Sequence, residues 1–262
     1  MVMSSPELIV EVKDSTLFLI INRPSKMNSI TMEVLDAIHQ ELKRFENEHY
    51  VRSVVIRGSG NKAFSTGVDL STMAEGATFY ELHRARAALG GLFQYMWSYP
   101  KVIVAAVDGY ALAGGFGLMA ACDMVLATSR SKFGAPEINV GVWPFVITVP
   151  LLRYIAPRAL FELMITGERI DANRALELGV INKVVSEEEF DGELFKVLAT
   201  LNSKSGSITA LGKSSFYKAM DMTSEQALSY LQSMLSIVTQ TQDSKEGIMA
   251  FVEKRAASWN DN

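Results

Sequence analysis

The 262-residue chain has one cysteine, Cys122, and three histidines. A lone cysteine cannot close an internal disulfide, and it excludes a zinc site built from several cysteines. Cys122 lies in an apolar stretch and reads as a small buried side chain rather than a catalytic thiol. His39, His49 and His83 fall on the polar faces of helix-like segments without metal-ligand spacing, so they read as solvated and no metal is expected. Positive charge is not in excess. The formal net charge is −4, which gives no electrostatic reason to expect nucleic acid or an anionic membrane as a partner. The longest apolar run, Tyr110 to Cys122 between Asp108 and Asp123, is shorter than the roughly 20 residues a bilayer span needs. The opening residues, MVMSSPELIVEV, lack the charged-then-apolar build of a secretory signal. Together these absences lead to the expectation of a cytoplasmic protein with neither a nucleic-acid nor a membrane partner.

What is present is an ordinary globular mixture, 48% hydrophobic and 21% charged, long enough for one large domain or one domain with a small appendage. LIVEVKDSTLFLIINRP predicts a hairpin, with strands over Leu8 to Val12 and Thr16 to Asn22. The second strand is apolar almost throughout, so both of its faces are expected to be buried. Met32, Leu35, Ile38, Leu42 and Phe45 then recur on one helical face. VRSVVIRGSG, KVIVAAVDG and DMVLATS read as strands, with helices over Ala77 to Ser98 and Leu112 to Ala120. Val54 and Val104 occupy equivalent places about 50 residues apart. This is an α/β pattern, either a sheet with crossovers or a stacked spiral of like units. After Asp171 the pattern turns helical. DANRALELGVI carries Asp171 as cap and Gly179 as stop, and amphipathic segments follow, including Ser224 to Gln240. NSKSGSITALGKSS reads as a hinge between the α/β body and the helical tail.

The glycines of DGYALAGGFGLMAACDMV need a use. Their spacing, Gly109, Gly114, Gly115 and Gly117, fits neither the dinucleotide-binding G-x-G-x-x-G nor a phosphate-binding G-x-x-x-x-G-K-[ST]. A nicotinamide-dependent oxidoreductase is therefore disfavoured. Two uses stay open. Gly114 and Gly115 can allow tight helix packing. Alternatively, free N–H groups at a helix start near Gly114 can join one from the loop NKAFSTGVDL to hold a single oxygen.

NRPSKMNSI, KAFSTGVDL, AAVDGYALAGGFGLMAACDMVLAT, KFGAPEINVGVWP, ITGERIDANRALELGVINKVV and KEGIMAFVEKR, in this order, resemble the enoyl-CoA hydratase/isomerase, or crotonase, family over nearly the whole chain. The resemblance implies an α/β fold: a crotonase-like spiral of ββα units over residues 1–200, with a C-terminal helical oligomerisation region over 201–262. It also implies a homotrimer or dimer of trimers, and an acyl-CoA thioester substrate with no cofactor beyond the coenzyme A that the substrate carries. By resemblance, Val68 and Gly114 supply the two main-chain donors to the thioester oxygen, at roughly 3 kcal/mol per donor. The familiar residue at the Val68 position is alanine. A backbone donor tolerates the change, although the larger side chain narrows the site. Lys26, Thr66, Asp69, Leu70 and Gly115 fall on the substrate side by the same resemblance, and Phe251 and Lys254 match tail residues that reach coenzyme A. Asp69 can instead cap the following helix.

The sequence departs from that pattern twice. Hydratase members resemble one another in two glutamates, and here the first position is Gly117; the second is Glu137, in the PE pair. A glycine-rich segment is replaced by Trp143-Pro144-Phe145, whose aromatics are expected to crowd the site. Hydration needs one group to activate water and one to deliver a proton; a single carboxylate manages both by passing the same proton on. Moving a double bond from position 3 to position 2 needs only one base. The chemistry alone tilts toward isomerisation, but the resemblance implies hydratases more often, so hydration of a 2-enoyl-CoA is the first expectation. Isomerisation through Glu137 alone is the alternative, and an acyl-CoA-binding protein without turnover is the third.

Overall fold

The structure, a computed structural model, describes residues 6–69 and 79–260. Strands β1 (Leu8–Lys13) and β2 (Thr16–Ile21) form the expected hairpin, with Lys13 opposite Thr16. Asp14 and Ser15 turn it at φ of 49° and 60°, the left-handed pair a two-residue hairpin loop requires. Helix α1 (Met32–Phe45) is capped by Thr31, whose Oγ1 accepts the Val34 N–H at 3.2 Å. Its apolar face, Val34, Leu35, Ile38, Leu42 and Phe45, is buried. Full burial of such side chains stabilises by about 1.5–3 kcal/mol each.

From there the chain repeats strand, strand, helix. The first turn is β3 (Ser53–Gly58), β4 (Ala63–Ser65) and α2 (Phe79–Ser98); the second is β5 (Val102–Val107), β6 (Tyr110–Leu112) and α3 (Gly114–Ala120). The third is β7 (Met124–Thr128), β8 (Lys132–Gly134) and a 3-10 turn over Pro136–Val140, followed by α4 (Phe145–Leu152) and α5 (Pro157–Thr166). Then come β9 (Arg169–Asp171), α6 (Ala172–Glu177) and β10 (Lys183–Val185). Each repeat sends its first strand to one sheet and its second to another. The larger sheet runs β1-β2-β3-β5-β7-β10 and the smaller β4-β6-β8-β9. Val54 lies opposite Ile103 and Val55 opposite Val104 in parallel strands, so the repeat is one residue off the Val54–Val104 spacing read in the sequence. Of the two arrangements left open, the stacked spiral is the one adopted.

The inner strands of the larger sheet are buried on both faces. Leu17, Leu19, Val54, Ile56 and Ile103 point into the main core with α1, whereas Phe18, Val55, Val104 and Leu126 meet Phe190, Leu194 and Leu198 of α7 (Phe190–Asn202). Two-sided burial explains why these strands are apolar without alternation.

Several expectations are corrected. Leu112, read as the first residue of a helix, instead ends strand β6 (Tyr110–Leu112), and the glycine-rich helix begins two residues later at Gly114. The Ser/Gly-rich segment read as a hinge is helix α8 (Gly206–Met220), capped by Ser205. Composition suggested flexibility, but tertiary contacts decide otherwise. Lys213 of α8 donates to Asp123 Oδ2 at 2.6 Å and to the Lys101 carbonyl at 2.9 Å. Tyr217 donates to Asp123 Oδ1 at 2.8 Å. The remaining helices, α9 (Ser224–Val238) and α10 (Gln242–Glu253), are capped by Thr223 and Thr241. His39, read as solvated, stacks on Tyr95 with ring centroids 4.6 Å apart; His49 is exposed. Cys122 is buried with its Sγ on the Leu118 carbonyl, and burial pushes its thiol pKa up, away from thiolate chemistry.

The Lys213–Asp123 pair is buried, with side chains 6% and 12% exposed. Burial lowers the lysine pKa even against the neighbouring carboxylate. Lys213→Ala leaves Asp123 without its counter-charge, so it is expected to cost about 3–5 kcal/mol in urea unfolding. Replacement of both partners by apolar residues should cost less than that single change.

Candidate active site

Three short parallel strands end side by side in the smaller sheet. Ser65 of β4 registers with Ala111 of β6, and Leu112 of β6 registers with Gly134 of β8. Val68, Gly114 and Glu137 each follow within three residues of a strand end. The fold thus delivers to one edge the three residues that the sequence picks out as catalytic.

The Val68 and Gly114 segments touch. Gly67 has φ +95°, and a Cβ on it would stand 2.8 Å from both the Gly114 nitrogen and the Ala113 Cβ. A Cβ on Gly114 would stand 3.4 Å from the Val68 nitrogen. Val68 forms an isolated parallel bridge with Ile30 through Ile30 N–H to the Gly67 carbonyl, 2.8 Å, and Asp69 N–H to the Ile30 carbonyl, 2.9 Å. That pattern uses the residues flanking Val68 and leaves the Val68 N–H out of the ladder. Gly114 opens α3, so its N–H has no acceptor within the helix. Two main-chain donors from neighbouring strand ends can therefore serve one ligand oxygen. Ala113, before Gly114, holds φ 51° and ψ −130°, a backbone state that favours glycine. Such a state costs on the order of 1–3 kcal/mol and persists where surrounding contacts enforce it, here Ala113 N–H to the Gly134 carbonyl at 2.9 Å.

The glycines of the cluster stand in different environments. Gly115 serves packing: a Cβ there would meet the Ser65 carbonyl oxygen at 2.3 Å. Gly114 lies against Val68 instead. Gly117 has a third environment. Its Cβ would stand 2.3 Å from Ile147 Cγ2 and 3.2 Å from Phe93 Cζ. The place of a first carboxylate is thus filled by a buried isoleucine from α4, a residue the sequence alone did not single out.

Glu137 stands on the 3-10 turn after β8. Its Oε2 is buried and has no hydrogen-bond partner among the described residues. Burial raises its pKa, and the turn's own backbone N–H offsets this only in part. A carboxyl group held this way is ready to exchange a proton.

The other predicted residues are dispersed. Thr66 donates through its N–H and Oγ1 to the Met27 carbonyl, at 3.2 and 3.3 Å. That contact brings the turn of exposed Lys26 to the β4 exit. Asp69 is paired with Arg23 at 3.0 Å. Leu70 lies outside the described residues. Trp143 is half-buried against the core, its ring centroid 5.8 Å from that of Phe161, while Phe145 is largely exposed at the start of α4. Phe251 and Lys254, at the end of α10, face solvent in the single chain. Among the described residues no cluster of three or more His, Cys, Asp or Glu could hold a metal ion, and no helix is long and apolar enough to cross a membrane.

A family model described as enoyl-CoA hydratase/isomerase matches residues 11–262. The chain is 33% identical over 258 residues to a crotonyl-CoA hydratase of Syntrophomonas wolfei, covering 98% of this chain and 99% of that protein. It is 30% identical over 250 residues to a short-chain-enoyl-CoA hydratase of Clostridium acetobutylicum, covering 95% of each. The crystal structure of an enoyl-CoA hydratase from Mycobacterium smegmatis superposes with a TM-score of 0.93 at 29% identity, over 97% of this chain and 99% of that one.

The contact between residues 117 and 147 is open to a double-mutant cycle. Gly117→Ala should destabilise by about 1–3 kcal/mol, because the new methyl overlaps Ile147. Ile147→Ala should cost about 2–5 kcal/mol through the cavity it leaves. In the double variant the methyl refills part of that cavity. Chemical denaturation should therefore find it more stable than the sum of the singles by on the order of 1 kcal/mol.

Proposed function

The chain belongs to the enoyl-CoA hydratase/isomerase family, and from that premise we propose that it adds water across the double bond of a 2-enoyl-CoA with Glu137 as its single proton carrier. The observation that carries this reading is the convergence of three strand ends. It sets Val68 and Gly114 together, with Glu137 on the adjacent exit, its buried Oε2 without a hydrogen-bond partner among the described residues. The Glu137 carboxylate takes a proton from water as the water oxygen bonds to C3. Negative charge moves onto the thioester oxygen, where the Val68 and Gly114 N–H groups hold it. The protonated Glu137 then returns the same proton to C2, which completes the addition. Each backbone donor is worth roughly 3 kcal/mol at that oxygen. Lys26, exposed on its turn, is placed by this reading beside the phosphates of coenzyme A, and no further cofactor is invoked.

A specific observation favours a second reaction. Ile147 and Phe93 line the space beside Gly117, so among the described residues its nearest neighbours are apolar groups rather than a second carboxylate. The same machinery can shift a double bond. Glu137 takes a proton from C2 of a 3-enoyl-CoA and returns it at C4, with the enolate on the same two amides.

The reading extends to assembly as a homotrimer or dimer of trimers, with residues 201–262 as the oligomerisation region. Helix α9 buries none of its residues in the single chain, and Leu228 and Leu235 are 71% and 63% exposed. Apolar surface on this scale calls for a cover.

Incubation with crotonyl-CoA and with a 3-enoyl-CoA, followed by thioester absorbance, separates the two reactions. Glu137→Gln should abolish both. Full rates in that variant would remove Glu137 from the mechanism, and binding without turnover in the wild type would leave a carrier of acyl-CoA. The raised pKa has two consequences of defined sign. The value of kcat/KM should fall as pH drops through it, since the base must be ionised. Stability should fall as pH rises through it, since the folded chain then binds more protons than the unfolded one. Glu137→Gln should therefore match or exceed the wild-type Tm at pH 7, and this gain should shrink in acid. Light scattering should give a mass of three or six chains.

A further inference from the structure

The Arg23 guanidinium is 12% exposed and ties together three separate segments. Its Nε donates to Glu7 Oε1 at 2.8 Å. Nη1 donates to the Ser29 carbonyl and to Ser29 Oγ, both at 2.8 Å. Nη2 donates to Asp69 Oδ2 at 3.0 Å, and that carboxylate is itself only 11% exposed. Ser29 precedes Ile30 and Asp69 follows Val68, so the fork grips both sides of the isolated bridge that leaves the Val68 N–H unused. Arg23 is anchored in its turn. Its own N–H donates to Asn28 Oδ1 at 3.0 Å, and its carbonyl accepts the Asn28 N–H at 2.9 Å. Buried Asn28 donates through Nδ2 to the Ala63 carbonyl at 2.6 Å, at the start of β4, the strand that delivers Val68.

We propose that Arg23, acting through Asp69 and Ser29, sets the aim of the Val68 N–H and is thereby a positioning residue for the reaction. The inference rests on the reading of that N–H as a donor to the thioester oxygen. A planar fork with donors in fixed directions holds two segments in register, and a lysine, a single point charge, cannot. An amide tilted off the oxygen loses most where charge has developed, so the loss belongs to kcat.

Arg23→Gln is expected to lower kcat for crotonyl-CoA by about 10- to 100-fold while KM changes little. The carbonyl stretch of bound butyryl-CoA, shifted down by the two donors in the wild type, should move back toward the free thioester. Arg23→Lys should fall between the two. Arg174→Gln, which breaks an exposed pair with Glu177, should leave rate and stretch unchanged. An Arg23→Gln variant that is merely less stable, with wild-type kcat and carbonyl stretch, overturns the proposal. If that variant does not fold, Arg23→Lys and Asp69→Asn are read by the same two measurements, and unchanged values in both overturn it. If the wild type itself shows no carbonyl shift, the donor reading fails and the inference falls with it. A shift in the wild type that the variants keep removes the inference alone.

Discussion

The register of three short parallel strands is the constraint on which the rest depends. Strands β4, β6 and β8 have three residues each, and their pairing sets Ser65 beside Ala111 and Leu112 beside Gly134. A slip of one residue would turn every side chain to the opposite face and move each exit by about 3.3 Å. The proposed donors and the proposed base come from three exits far apart in the chain. No local interaction can align them; the ladder does, supported by the larger sheet beneath and by close backbone approaches at Gly67, Gly114 and Gly115.

Position 117 shows how packing bears on chemistry. Ile147 from α4 occupies the space beside Gly117 so closely that even a methyl group requires movement. Under the proposed mechanism, proton transfer there passes through Glu137 alone. Burial is what raises the pKa of Glu137, which holds it nearer the working pH than an exposed glutamate. A lone acid with a raised pKa can lend and recover one proton, and both hydration and double-bond shift reduce to that act.

The C-terminal helices are bound to the body by polar contacts as much as by apolar ones. Asp123, just beyond the glycine-rich helix, accepts from Lys213, Tyr217 and the Ile103 N–H. This satisfied buried cluster fixes α8 against β5 and β7. Beyond it, α9 and α10 turn apolar side chains outward, among them Leu228, Leu235, Phe251 and Val252. The proposed assembly would cover them.

Much of this was legible from residue order alone. The hairpin, α1 and α6 follow from periodicity and caps, because each is long enough, or punctuated clearly enough, for local rules to act. Lys26, Val68, Gly114 and Glu137 were visible through motifs. The three-residue strands were not, since no period can be read in three residues; nor was α8, whose Ser/Gly-rich composition hid a helix held by the contacts of Lys213 and Tyr217 with Asp123. Arg23 lay inside the NRPSKMNSI motif without being singled out, because its partner Asp69 lies 46 residues away and only folding brings them within 3.0 Å. The sequence by itself determined the family, the longer elements and the glycine at 117. Tertiary structure alone decided which exits adjoin, what fills the vacated space and which charges meet, because those depend on distances between residues that the chain keeps far apart.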